Sequence, residues 1–415
     1  MNEDHSNGPH VLVIGGGVGG LCLAQGLRKS GIRVDVYERD RSARFRGQGW
    51  RISLKEEGTS ALRSCLPEDL FELCVATAIL PATRMAFLDH LLNPKFEKPV
   101  PLLPHDVFFG VNRLTLREIL LSGLDDVRHF GKTFVRYDHA GDGRVRAHFA
   151  DGTVATGDLL VGADGTNSAV RRQLLPAAEV DDIGNFVYGR TPITPGMLDW
   201  LPDVLVDSFN RLIAPGDAAM SVVTCRTREP VPEAVARLAP GARLTDMPGY
   251  LAWMVSSDER TGWAAGPSLT AERFRQSDGE TLHRLARETV ADFHPLARRI
   301  LDEADVPATF PVGLRSARPV SPWPTTDVTL LGDAVHTMSP GRGEGANTTL
   351  RHAELLRQAL VGVAARGVPL LDAVGHYEAE MLHHGFQMVS ASLGNPLMPR
   401  PSVTSSPRPG PRGAG

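Results

Sequence analysis

The sequence predicts an α/β protein: a Rossmann-like dinucleotide-binding domain interleaved with an antiparallel-sheet domain and followed by a C-terminal helix. Three observations predict it. A strand, a Gly-rich turn, a helix and a second strand follow one another between His10 and Glu38. Two later apolar strands, 158–162 and 327–331, each run into a Gly-containing turn. Between them, residues 181–275 change to short alternating runs with turn signals, the pattern of antiparallel strands. Strands alternating with helices around such a block imply a parallel sheet plus a second layer.

His10-Val11-Leu12-Val13-Ile14 is the first strand, and residues 21–30 carry Leu21, Ala24 and Leu27 at helical spacing. Between them stands Gly15-x-Gly17-x-x-Gly20. Gly15 permits the tight turn, Gly17 lets backbone approach a pyrophosphate, and Gly20 lets the helix pack on the strand. The N-terminus of the helix that follows points amide N–H groups and a partial positive charge at the phosphates. Glu38 ends the second strand, where a carboxylate accepts bonds from ribose hydroxyls, and Arg39 beside it can lie over the adenine or reach a phosphate. The motif does not separate FAD from NAD.

Residues 133–155 contain two turns, Gly141-Asp142-Gly143 and Asp151-Gly152, and read as a β-meander. The segment Gly162-Ala163-Asp164-Gly165-Thr166-Asn167-Ser168 then joins a strand to a helix that Ser168 can cap. In the second layer, 209–213 and 218–225 form a hairpin around a Pro-Gly-Asp turn, and 250–257 is a further strand. Residues 281–304 read as one helix, kinked at His294-Pro295. After the strand 327–331, Asp333 sits where a carboxylate can bind a polyol. Pro340, Gly341, Gly343, Gly345, Ala346 and Asn347 then form a loop able to lie against a flat ring or phosphate. A helix follows over 347–365, another over 377–393, and 396–415 is a Pro/Gly/Ser-rich tail of disordered composition.

The 415 residues carry 44 basic and 48 acidic side chains, a net charge of −4. This excludes a broad basic field for nucleic acid. No apolar run reaches the length of a membrane span, and the polar N-terminus lacks a signal-peptide core. Cys22, Cys65, Cys74 and Cys225 form no CxxC pair, which disfavours a disulfide framework, a zinc site and a dithiol redox centre. The expected location is cytoplasmic.

Together the Gly15–Gly20 motif, the 162–171 "DG" segment and the Gly332-Asp333 "GD" segment resemble the FAD-dependent monooxygenases of the para-hydroxybenzoate hydroxylase type, which include polyketide hydroxylases and TetX-like enzymes. The resemblance covers about residues 10–390. It implies a glutathione-reductase-type FAD domain made of 1–78, 108–180 and 311–365, and a substrate domain made of 79–107 and 181–310. A C-terminal helical segment over 366–395 packs across both. It implies bound FAD held by Gly15, Gly17, Val18, Gly20, Glu38, Arg39, Asp164, Asp333, Pro340, Gly343, Gly345, Ala346 and Asn347. Arg113, in Arg113-Leu114-Thr115-Leu116, matches the family's R-x-x-L arginine, and Gly47-Gln48-Gly49-Trp50-Arg51 resembles the stretch near the mobile flavin. His352 stands where the family often has an acid.

The implied reaction takes hydride from NADPH or NADH, forms a flavin C4a-hydroperoxide, and hydroxylates or epoxidises an aromatic or polyketide-like small molecule, as in natural-product tailoring. The cofactor carries that chemistry, so no catalytic base is assigned. His90, His105 and Asp207 lie in the substrate region without a supporting pattern, and His336 reads as structural. Phe209, Met220, Trp253 and Phe310 are apolar candidates for a pocket between the domains. The alternative is an FAD-bound non-redox cyclase of Diels–Alder type. A non-enzymatic FAD-binding sensor is a further class. A halogenase is disfavoured because Trp253 and Trp263 form no W-x-W.

Overall fold

The computed structural model describes residues 8–43, 50–101, 103–206, 208–216, 218–257 and 270–394. Gly47, Gln48, Gly49, Asp207, Trp263 and the tail 396–415 lie outside the described residues.

Strands and helices are numbered along the chain. The central sheet is parallel and five-stranded, in the order β17 (Val328–Leu330), β11 (Leu159–Gly162), β1 (Val11–Ile14), β2 (Val34–Glu38), β7 (Arg128–Phe130). Its middle strands are apolar on both faces because both faces are covered. Val11, Leu12, Val13, Leu159, Leu160 and Val161 are all fully buried. On it pack α1 (Val18–Lys29), α4 (Arg113–Leu121), α5 (Ala169–Leu174), α11 (Asp333–His336) and α12 (Gly345–Arg366). The α1 helix lies directly on α12: a Cβ at Gly19 would stand 2.3 Å from the Thr349 methyl. The helices α2 (Glu56–Cys65), α3 (Glu68–Ala76) and α13 (Leu370–Leu393) complete this layer. The predicted meander is β8 (Phe134–His139), β9 (Val145–Phe149) and β10 (Val154–Gly157).

The second layer is a seven-stranded sheet, ordered β16 (Phe310–Ala317), β12 (Val180–Pro192), β15 (Tyr250–Ser256), β14 (Ala219–Cys225), β13 (Ser208–Ile213), β4 (Arg84–Asp89), β5 (Pro94–Pro99). It is antiparallel except for the β13–β4 pair, which is parallel. The expected boundary at 311 falls inside β16, whose whole length pairs with β12 in this sheet. Around it stand α6 (Pro195–Leu198), α8 (Ala271–Gln276), α9 (Gly279–Thr289) and α10 (Pro295–Asp302), while α7 (Val231–Leu238) packs on α3.

The helix expected over 281–304 is two helices. Proline at a first helical position loses no internal hydrogen bond and biases its predecessor out of the helical region. Pro295 therefore starts α10, and His294 caps it by accepting from the Leu296 amide at 3.2 Å. Finally β3 (Ile52–Leu54) and β6 (Phe109–Val111) form a two-stranded ribbon between the layers. Among the described residues no helix is long and apolar enough to cross a membrane.

Candidate cofactor and substrate site

The three glycine-bearing turns meet because β1, β11 and β17 are neighbours in register: Ile14 lies beside Gly162, and Gly162 beside Leu330. Gly15 adopts a φ of +116°, and a Cβ there would fall 2.3 Å from the Ala163 carbonyl oxygen. The first turn thus lies against the DG turn. At Gly20 a Cβ would stand 2.2 Å from the Gly15 oxygen, the close helix–strand contact its position predicts. Gly17 is different. It precedes Val18 as the helix cap with no side-chain partner, and nothing lies within 4 Å of where its Cβ would be. This open face at a helix N-terminus is built for an anion.

Glu38 is buried and accepts from the Gly16 amide at 2.7 Å and the Asp40 amide at 2.8 Å. Behind it lies a residue the sequence reading missed. Arg117, 2% exposed, donates to the Gly16 oxygen at 2.9 Å and the Ala43 oxygen at 3.0 Å, and pairs with Glu38 at 3.4 Å and Asp40 at 3.6 Å. A signal existed: Arg117-Glu118-Ile119-Leu120 repeats R-x-x-L one turn after Arg113. Arg39 is exposed at the end of β2.

In the DG turn, one Asp164 carboxylate oxygen accepts from the Ala169 amide at 2.7 Å. The other, Oδ1, is buried with no hydrogen-bond partner among the described residues. Arg171 ties this turn to the GD turn, donating to the Thr166 oxygen at 2.9 Å and the Ala334 oxygen at 2.8 Å. Asp333 begins α11. Burial raises its carboxyl above the ordinary carboxylate range, and the nearby Arg113 guanidinium opposes that shift.

The 340–347 loop leads into α12, with Pro340 exposed and Gly343, Gly345 and Ala346 half-buried. Asn347 is buried, and its side chain is fully used inside the protein. It donates to the Ser53 and Gly343 oxygens at 3.0 and 2.8 Å and accepts from the Lys55 amide at 2.8 Å. The side chain thus holds β3 against the loop.

Beside β3, Trp50 and Arg51 reach the seven-stranded sheet. Trp50, Tyr250, Phe310 and Tyr188 form one aromatic cluster, with ring centroids 6.1 Å apart for Trp50–Tyr250, 5.9 Å for Trp50–Phe310 and 5.6 Å for Tyr188–Phe310. Phe209 packs against the same group. Arg190 lies 4.4 Å over the Trp50 ring and is held by Asp305 at 2.7 Å. Arg51 donates to Ser53 Oγ at 2.7 Å, while its Nε is buried with no hydrogen-bond partner among the described residues. Burial pushes the Tyr188 and Tyr250 phenols well above their ordinary value and the Cys225 thiol up to about 11, so this wall is neutral apart from its arginines.

Two pocket candidates are corrected. Met220 and Trp253 alternate onto the opposite face of the sheet, in the core under α9 and α10. Trp253 donates there to Thr191 Oγ1 at 3.1 Å. His90 sits against Phe293 in that same helix-covered region, and His105 is exposed.

Two family models match the chain: an NAD(P)-binding Rossmann-like domain over residues 13–57 and an FAD-binding domain over residues 268–392. The crystal structure of an FAD-containing monooxygenase from Photorhabdus luminescens superposes with a TM-score of 0.76 at 33% identity, over 92% of this chain and 96% of that one. The chain belongs to the FAD-dependent monooxygenase family. Another relative in this family is the FAD-dependent monooxygenase thnD of Trichoderma harzianum, 29% identical over 92% of each protein. The dual O-methyltransferase/FAD-dependent monooxygenase elcB of Phaeosphaeria nodorum is 32% identical over 86% of this chain, which spans only 40% of that protein's length. For an FAD family the open face at Gly17 and the unpartnered Asp164 oxygen are what a diphosphate and a hydroxyl-rich ligand require.

Proposed function

We propose that the protein uses NAD(P)H and O₂ to hydroxylate or epoxidise a planar aromatic or polyketide-like small molecule, with FAD as its bound cofactor. One observation carries this reading: three glycine-bearing turns converge at one end of a parallel sheet, and an aromatic cluster joins Trp50, which precedes β3, to the seven-stranded sheet. When bound, FAD supplies hydride acceptance and oxygen activation. The chain's own groups bind and orient. The Gly17–Gly20 turn and the α1 N-terminus, at Val18, take the diphosphate. Glu38 accepts from the ribose at the end of β2, with Arg39 at the exposed adenosine side. Asp164 Oδ1 accepts a hydroxyl or amide proton. Asp333 and Arg113 hold the polyol chain, and the backbone from Pro340 through Gly343, Gly345 and Ala346 to Asn347 backs the ring.

On the substrate side, Trp50, Tyr188, Tyr250 and Phe310 offer flat apolar surface, which suits a planar ring. Arg51 adds positive charge at that wall and favours an acidic phenol or enol in its ionised form. The relatives reported above are named as monooxygenases, and no feature of the described site favours the non-redox cyclase.

The test is the visible spectrum of the purified protein, followed anaerobically for hours after adding NADPH or NADH. A yellow flavin band that bleaches faster with an aromatic ligand is the expected result. A flavin that stays oxidised with every ligand and both nicotinamides would falsify the monooxygenase reading. A colourless protein that takes up no added FAD removes the cofactor assignment.

A further inference from the structure

The helices behind the 340–347 loop meet at three histidines that the reading above does not use. His336 ends α11, His352 lies in α12 and His384 in α13. His336 Nε2 is 2.9 Å from His352 Nδ1, and His352 Nε2 is 3.0 Å from His384 Nδ1. His384 Nε2 then stands 3.8 Å from the Glu57 carboxylate, which is half-exposed on α2. His336 and His352 are fully buried, and His384 is 7% exposed. The rings meet edge to face, at interplanar angles of 78° and 81°. Helix α13 is cut away to seat the inner ring: a Cβ at Gly385 would fall 2.7 Å from His336 Cδ2.

We propose that His336, His352 and His384 form a proton-conducting chain between solvent at Glu57 and the buried turn that carries Asp333. Each ring presents Nδ1 on its inner side and Nε2 on its outer side, so the three rings form one continuous relay. Its inner end is His336 Nδ1, which is buried and, among the described residues, has no hydrogen-bond partner beyond its own backbone. Conduction also needs neutral rings, because a neutral imidazole both donates and accepts while an imidazolium only donates. Burial holds all three below the ordinary histidine value, His336 at about 4. The charged groups around the chain are Arg351 and Glu344 at α12, Glu380 on α13, Glu57 on α2, Asp333 on α11, and Arg171 through the Ala334 carbonyl. Arg351 sits between Glu57 and Glu380, at 3.1 and 3.5 Å. The outer end is thus acidic and wet, the inner end dry.

The transfer balances. A proton arriving at His336 Nδ1 releases the Nε2 proton to His352 Nδ1. His352 passes its Nε2 proton to His384 Nδ1, and His384 gives its own to Glu57 or water. Each ring gains one proton and loses one, and all three end as the other tautomer. The next transfer runs inward and restores them, so the chain carries alternating release and uptake without any ring turning over. A metal reading fits less well: ligands to one ion converge on a common centre, whereas these rings pair consecutively. Among the described residues no group of three or more such side chains is placed to hold a metal.

The test needs no turnover and so stands apart from the cofactor assignment. The protein is labelled with ¹⁵N-histidine, and exchange of the His336 ring N–H with water is measured by NMR beside the buried amides of α12. Conduction requires the His336 proton to exchange at least about a hundredfold faster than those amides, which wait for local opening. In His384→Ala the exchange should slow by about tenfold or more, and added imidazole should restore it by filling the gap with a proton carrier. Slow exchange at His336 in the unaltered protein overturns the proposal, and this arm stands even where the variant fails to fold. Fast exchange that His384→Ala leaves unchanged overturns it too, as does slowing that imidazole does not reverse.

Discussion

Arg117 decides whether the first turn keeps its shape. Its buried guanidinium bonds the Gly16 carbonyl and neutralises Glu38, whose carboxylate in turn receives the Gly16 amide. Replacing it by alanine leaves Glu38 buried without its cation, and breaking one partner of a buried pair costs about 3–5 kcal/mol. Urea unfolding of Arg117→Ala should show a loss of that size, and retained FAD should fall with it. Arg117→Lys should recover only part, because an ammonium lacks the fork that reaches two carbonyls and two carboxylates. Unchanged stability in Arg117→Ala would remove the positioning role. At this scale the turn residues were legible in the sequence, since Gly15, Gly17, Gly20 and Glu38 act through local geometry at fixed spacing. Arg117 was not, because its partners lie 74 to 101 residues away along the chain.

Between elements, the histidine chain joins α11, α12 and α13, and it carries a pH signature of its own. All three rings titrate below the ordinary histidine value in the folded protein, and the unfolded chain titrates near that value of 6.5. Above pH 6.5 neither state binds these protons and the histidines add no pH dependence. Below it the unfolded chain binds them first. Stability therefore falls as the pH drops, over a window that for His336 runs from 6.5 to about 4. Each histidine so placed contributes a slope of up to about 1.4 kcal/mol per pH unit. Urea midpoints should drop steadily from pH 7 to pH 5, and His384→Gln should make the fall shallower. A midpoint that is flat over that range contradicts the burial of these rings. None of this was legible in the sequence. His336 stands in a Gly-rich turn, His352 in one helix and His384 next to His383 in another, and only the packing of α11, α12 and α13 aligns their nitrogens. Pro295 is the converse case. It was seen, but the sequence could not say whether it kinks one helix or starts a second, since that depends on where the preceding turn is free to end.

For the whole molecule the question is what couples the Rossmann-like layer to the seven-stranded sheet, and one hydroxyl takes part in it. Tyr250 on β15 is 3% exposed. Its OH accepts from Asn112 Nδ2 at 2.9 Å and donates to the Trp50 carbonyl at 2.6 Å. Asn112 in turn caps α4, taking the Leu114 and Thr115 amides at 2.9 and 3.2 Å, and so fixes the helix start that carries Arg113. The sequence marked Arg113 by its resemblance to the family motif and offered Phe209, Met220, Trp253 and Phe310 as apolar candidates for the junction. Trp253 was named and Tyr250 was not, because strand alternation alone does not say which face looks toward the Rossmann-like layer. Tyr250→Phe keeps the ring and its packing but leaves the Asn112 amide and the Trp50 carbonyl unpaired. Buried groups left unsatisfied cost about 1–3 kcal/mol, which thermal or urea unfolding would read directly. The informative comparison is functional. The Tyr250 hydroxyl bonds Asn112 and Trp50 and none of the turns at Gly17, Asp164 and Asp333 proposed to hold FAD, so flavin retention should survive the change. The acceleration of flavin reduction by an aromatic ligand should weaken, because the Trp50 wall and the α4 start lose their common tether. Equal loss of both would make Tyr250 a general stability residue, and loss of neither would show that the two layers are coupled through another contact.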